Sequence, residues 1–108
     1  MVTPATFRSL CLGLPDTKEA PHFDRAAFRT SQRIYATLPA EGKDANLKLM
    51  PEQQELLVQA RPQAFAAVNN AWGKQGWTTV TLAAVDEAAL TDALVWAHAI
   101  AMHQKRKR

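Results

Sequence analysis

The chain has 108 residues, 47% of them hydrophobic and 21% charged, which fits one globular domain and leaves no material for a second core. Its net charge of +3 rests on the tail Lys105-Arg106-Lys107-Arg108: without those four, nine basic residues face ten acidic ones, a net of −1. The domain-wide basic footprint common in nucleic-acid binders is thus missing, no apolar run nears the roughly 18 residues that span a bilayer, and the single cysteine excludes an internal disulfide.

In chain order, Thr3-Pro4 reads as an N-cap with proline at the first helical position. Phe7, Leu10, Cys11 and Leu14 follow at helical spacing until Gly13 and Pro15 stop the segment, so a helix is expected over residues 4–13. From Lys18 to Met50 the apolar pattern shortens to period two. "AAFRT", "RIYATL" and "ANLKLM" alternate as half-buried antiparallel strands, with "TSQR" and "AEGKD" as turns. "EAPHFD" (19–24) reads as an irregular edge strand, because Pro21 has no N–H for a ladder. Pro51 and two glutamates then open a helix that Arg61-Pro62 interrupts, and "QAFAAVN" is expected to add a helical turn. "AWGKQGW" leads into the strand "TTVTLA". Asp86 caps a long last helix whose buried stripe is Leu90, Ala93, Leu94, Ala97, Ile100 and Ala101. Helices and strands with one apolar face each imply two layers, an antiparallel sheet covered on one side. Residues 1–104 read as a single domain and 105–108 as a basic tail.

Few residues announce chemistry. Cys11 sits on the apolar stripe of the first helix, where a plain core thiol outweighs a nucleophile. His98 and His103 are five apart and share no ligand face, so neither metal nor cofactor is expected. Gly73 and Gly76 lack the strand-loop-helix setting of a phosphate loop. The expectation is a non-enzymatic protein.

The sheet face turned away from the helices is more informative. If Phe28, Ile34, Leu47, Leu49, Val80 and Leu82 face the helices, the other face presents Arg29, Arg33, Tyr35, Thr37, Asn46, Lys48, Thr79 and Thr81. These include three cations, one aromatic and no acid. Such residues can contact phosphate and stack on bases, and they also suit an ordinary solvated face. Lys74 and Gln75, between the two tryptophans, are placed to form a hairpin tip. Trp77 reads as a packing residue, and Trp72 is open between packing and contact.

Three blocks, "LPDTKEAPHFDRAAFRTSQRIYATL" (14–38), "NLKLMPEQQELLVQARP" (46–62) and "AWGKQGWTTVTLAAVDEAALTDAL" (71–94), resemble the MmcQ/YjbR family of small bacterial proteins. The resemblance implies an α+β two-layer sandwich, a twisted antiparallel sheet with helices on one face, similar in architecture to type III secretion chaperones. It implies a double-wing arrangement of hairpins that binds double-stranded DNA, and no enzymatic activity. On this sequence the DNA-binding residues would be Arg29, Arg33, Tyr35, Lys48, Lys74 and Gln75. The alternative is a protein- or small-ligand-binding module that uses the open sheet face or a strand edge. With one cysteine and no secretory-signal pattern in "MVTPATFRSL", a cytoplasmic location away from membranes is expected.

Overall fold

Thr3 starts the first helix as its position before a proline requires, its hydroxyl accepting the Thr6 N–H at 3.1 Å. The computed structural model describes residues 1–103; the 105–108 tail lies outside them. After α1 (Pro4–Leu12) come four strands in a meander: β1 (Lys18–His22), β2 (Arg25–Arg29), β3 (Ile34–Pro39) and β4 (Asp44–Lys48). Helix α2 (Pro51–Ala60), strand β5 (Phe65–Ala67), the single turn α3 (Ala71–Lys74), strand β6 (Trp77–Thr81) and helix α4 (Glu87–Met102) complete the chain. The six strands form one antiparallel sheet in the order β1-β2-β3-β4-β6-β5. The fold is the expected α+β sandwich.

One face of the sheet is the core. Phe28, Ala36, Leu38, Leu47 and Val80 are buried there beneath Leu90, Ala93, Leu94 and Ala97 of α4. Phe7 of α1 meets Phe28 edge-to-face, with ring centroids 5.8 Å apart, the geometry that aromatic quadrupoles favour. Asp86 caps α4 as expected, accepting the Ala89 N–H at 2.7 Å. The far end of α4 is tied to the β2–β3 turn by Thr30, whose buried hydroxyl donates to the Ala101 carbonyl at 3.3 Å.

Three elements differ from the sequence reading. The first is a β-bulge. Phe28 pairs with Ala36 but Arg29 pairs with Ile34, so β3 holds one residue more than its partner. A bulge reverses the facing of the residues beyond it. Ile34 therefore shares the face of Arg29, while Tyr35 turns inward and is only 1% exposed. Tyr35 is removed from the open face, where alternation alone places it.

The second difference is β5. "FAA" pairs with β6 through Phe65↔Val80 and Ala67↔Thr78 instead of adding a helical turn. A three-residue apolar run has too little length to show a period, so the unpaired edge of β6 decides its structure. The third is strand length. β2 begins at Arg25 and β4 at Asp44, residues that the turn chemistry around them assigns to loops. Asp44 pairs with Thr81, which brings an acid to one corner of a face expected to have none.

Candidate nucleic-acid interface

Directly opposite residues of an antiparallel pair share a face, so the register gives the open face row by row. Its central row runs Ala20, Ala27, Thr37, Asn46, Thr79, Ala66 across the sheet. On one side lie His22, Arg25 and Asp44. On the other lie Lys18, Arg29, Lys48 and Trp77. Residues of α1, α2 and α4 pack with the core on the other face, yet Ala27 and Thr37 are buried on this one.

The burial has a geometric cause. One cavity of about 280 Å³ is lined by His22 of β1, Arg25 of β2, Thr37 of β3, Asn46 of β4, Trp77 of β6 and, beyond β5, Val68, Asn70 and Trp72. In a flat sheet β1 and β6 would stand about 19 Å apart, four strand spacings. A single cavity touches both because the face curls into a trough. The β1–β2 hairpin forms one wall and the β5–β6 connection the other.

Two glycines shape the second wall. A Cβ on Gly73 would collide with the carbonyl oxygen of Val68, and one on Gly76 with that of Leu49. Gly76 also has φ +109°, a backbone conformation that a side chain makes costly. Asn70 caps α3, the turn that carries Trp72 and Gly73, its Oδ1 accepting the Trp72 N–H at 2.9 Å. Gln54 of α2 fastens the wall from behind: its amide lies 3.1 Å from the Gly73 carbonyl, 3.0 Å from that of Trp77 and 3.1 Å from the Thr78 hydroxyl. Trp77 is half-buried against the trough, whereas Trp72 is 58% exposed at its rim.

The polar groups of the trough are arranged as donors. Arg25 Nε donates to Thr37 Oγ1 at 2.9 Å, and no other hydrogen bond or ion pair among the described residues engages its guanidinium. Thr79 donates to Asn46 Oδ1 at 2.9 Å, which leaves the Asn46 amide N–H groups unused. Asn70 uses its oxygen on Trp72 and keeps its NH₂. The ion pairs among the described residues are Arg8–Glu19 and Arg61–Asp86, so none neutralises Arg25, Arg29, Arg33 or Lys48. The Lys48 ammonium is held below its ordinary pKa, first by partial burial and then by the charge of Arg33.

Of the residues singled out from the sequence, Arg29, Arg33 and Lys48 come together on or beside this face. Lys74 and Gln75 do lie in the connection of the β5–β6 hairpin. Lys74, however, lines a separate depression with Gln54, Asn69 and Asn70 rather than the trough. Sequence reasoning missed Arg25, His22 and Asn70. Arg25 was detectable, since it continues the alternation of Ala27 and Arg29; Asn70 and His22 reach the trough only through the curl.

Tyr35 belongs to a buried polar cluster on the covered side. Its hydroxyl donates to the Cys11 carbonyl at 3.2 Å and lies 2.9 Å from the Thr17 hydroxyl, while His98 Nε2 sits 2.7 Å from the Pro15 carbonyl. Together they fix the α1–β1 connection to the sheet. Burial pushes the Cys11 thiol up to about 12, so it stays protonated and unreactive. Among the described residues no three His, Cys, Asp or Glu side chains cluster as metal ligands, and no helix is long and apolar enough to cross a membrane.

The YjbR family model matches residues 12–100 of the chain. A solved structure from Deinococcus radiodurans, protein DR2400 with a DUF419 domain, superposes with a TM-score of 0.82 at 27% identity, covering 100% of this chain and 84% of that one. Among curated sequences none matches. The chain belongs to the YjbR family.

Proposed function

We propose that this YjbR-family chain is a DNA-binding protein that docks its curled sheet face on the phosphate backbone. The observation that supports the reading is the set of cations on and beside that face, Arg25, Arg29, Arg33 and Lys48, without an ion-pair partner among the described residues. Cations in that state exchange hydration and counterions for phosphate, and the affinity then falls steeply with salt. Asp44 bounds the basic surface at one corner, which orients a bound backbone toward the Arg29–Lys48 side. Lys74 supplies further positive charge in the neighbouring depression, and the sequence at 105–108 adds four more cations.

The test is fluorescence anisotropy of a labelled oligonucleotide titrated with protein over a range of salt, repeated with serines at 105–108 and with the Arg29→Ala/Lys48→Ala double variant. The reading expects binding that survives loss of the tail and weakens in the double variant. Binding that vanishes with the tail and ignores the double variant would assign the affinity to the tail instead.

A second reading, a protein partner, has its own observation. Phe23 is 94% exposed at the tip of the β1–β2 hairpin, with φ +60°. An aromatic held out in a conformation that bulky residues avoid is a candidate anchor. Affinity purification that returns a stoichiometric protein, lost in Phe23→Ser and indifferent to nuclease, would favour that reading.

A further inference from the structure

We infer that the trough takes an unpaired base of a single strand, stacked against the Trp72–Trp77 wall, rather than the edge of a closed duplex. The inference rests on the nucleic-acid reading above and specifies its ligand.

Three features carry it. The first is shape. Reading a duplex groove takes an element that protrudes into it, such as a helix or a β-ribbon. Here Arg25, Thr37 and Asn46 lie in a recess walled on both sides, which a duplex groove cannot reach but a splayed nucleotide can. A cavity of about 280 Å³ has the scale of one base and its sugar.

The second is the aromatic wall. Trp72 is 58% exposed although it is among the largest apolar side chains of the chain, and the turn that carries it is secured by Gly73, Gly76, the Asn70 cap and Gln54. Core packing does not require that exposure. Base stacking does, since every base offers a π-face and a fixed indole loses little freedom on contact.

The third is the polarity of the floor. The unused groups of Arg25, Asn46 and Asn70 are N–H donors, and none of the residues lining the cavity is a carboxylate. A planar ligand rich in acceptors matches this set. The carbonyl oxygens and ring nitrogens of an unpaired base meet that description, with the adjoining phosphates falling to Arg29 and Lys48.

The experiment is a competition between forms of one sequence. A 3′-labelled oligothymidylate, alone and annealed to oligoadenylate, is titrated with the full chain at low salt, in parallel with thymidine monophosphate as unlabelled competitor. The single strand is expected to bind roughly tenfold or more tightly than the duplex. Trp72→Ala is expected to weaken it by roughly tenfold, and Trp72→Phe to restore most of the loss. Circular dichroism melts confirm that both variants fold. Equal or tighter duplex binding, or a Trp72→Ala affinity equal to wild type, overturns base stacking while leaving nucleic-acid binding in place. Binding to neither form overturns both. Full displacement by the mononucleotide at comparable concentration would reassign the trough to free nucleotides and overturn the single-strand inference.

Discussion

On the covered face of the sheet, Phe28, Ala36 and Leu47 stand in one row and all are buried against the helices. On the open face, the neighbouring row of Ala27, Thr37 and Asn46 is flanked by arginines, a lysine and two tryptophans that lie outside the core cluster. The first set is explained by apolar area removed from water. The second is not, because its long side chains carry unused donors and an exposed indole. The difference separates the residues that make the fold from those available to a ligand, and substitutions on each side should separate in the same way.

The largest expected effect lies on the covered side. Phe28→Ala removes a fully buried ring and its packing against Phe7, so a loss of about 3–5 kcal/mol is expected in chemical denaturation. Binding by the fraction still folded should be unchanged. Gly76→Ala comes next and tests the seam between the two sides. The positive φ costs on the order of 1–3 kcal/mol, the collision with the Leu49 carbonyl adds to it, and Trp77 should lose its fixed fluorescence environment along with stability.

The opposite pattern is expected for Arg29→Ala/Lys48→Ala. Stability should change by less than about 1 kcal/mol, whereas the slope of log affinity against log salt should fall by roughly one for each phosphate the variant no longer neutralises. A double variant that destabilised the fold and left the salt slope intact would erase the distinction between the faces.

The smallest effect concerns the α1–β1 connection. The Asp16 carboxylate accepts the Ser31 N–H at 2.9 Å, and that bond holds its pKa below the ordinary 3.8. A depressed carboxylate contributes stability that is present above its unfolded pKa and is lost as pH falls through the folded one. Asp16→Asn should therefore lower stability slightly at neutral pH, where the wild-type carboxylate is ionised, and flatten the acid limb below about pH 4, where the two proteins converge.

How much of this could be read from the residues depends on where the alternation is interrupted. Along β4 and β6 it runs unbroken, so Asn46, Lys48 and Thr79 fall on the open face as their spacing indicates. At Ile34 and Tyr35 the bulge exchanges two facings, and period-two logic has no means of detecting one inserted residue. Local turn signals also hide Asp44, because Gly42 near it favours a loop, and Asp24 does the same to Arg25 even though its alternation with Ala27 and Arg29 survives. The tryptophan turn is legible as a glycine-hinged connection. Its position is not, since the approach of Gly73 to Val68 and of Gly76 to Leu49 is made by tertiary packing. The family resemblance supplies the sandwich, and the curl that turns its open face into a trough belongs to the structure.

The three indole N–H groups allow the most direct test of the open face as the binding surface. Trp72 and Trp77 line the trough, while Trp96 packs half-buried against the core from α4. In ¹H–¹⁵N spectra titrated with an oligonucleotide, the Trp72 and Trp77 indole signals should move together with the backbone signals of Arg25 and Asn46, and that of Trp96 should stay in place. Indoles that do not respond while the oligonucleotide binds, or a shift confined to Trp96, would contradict the assignment.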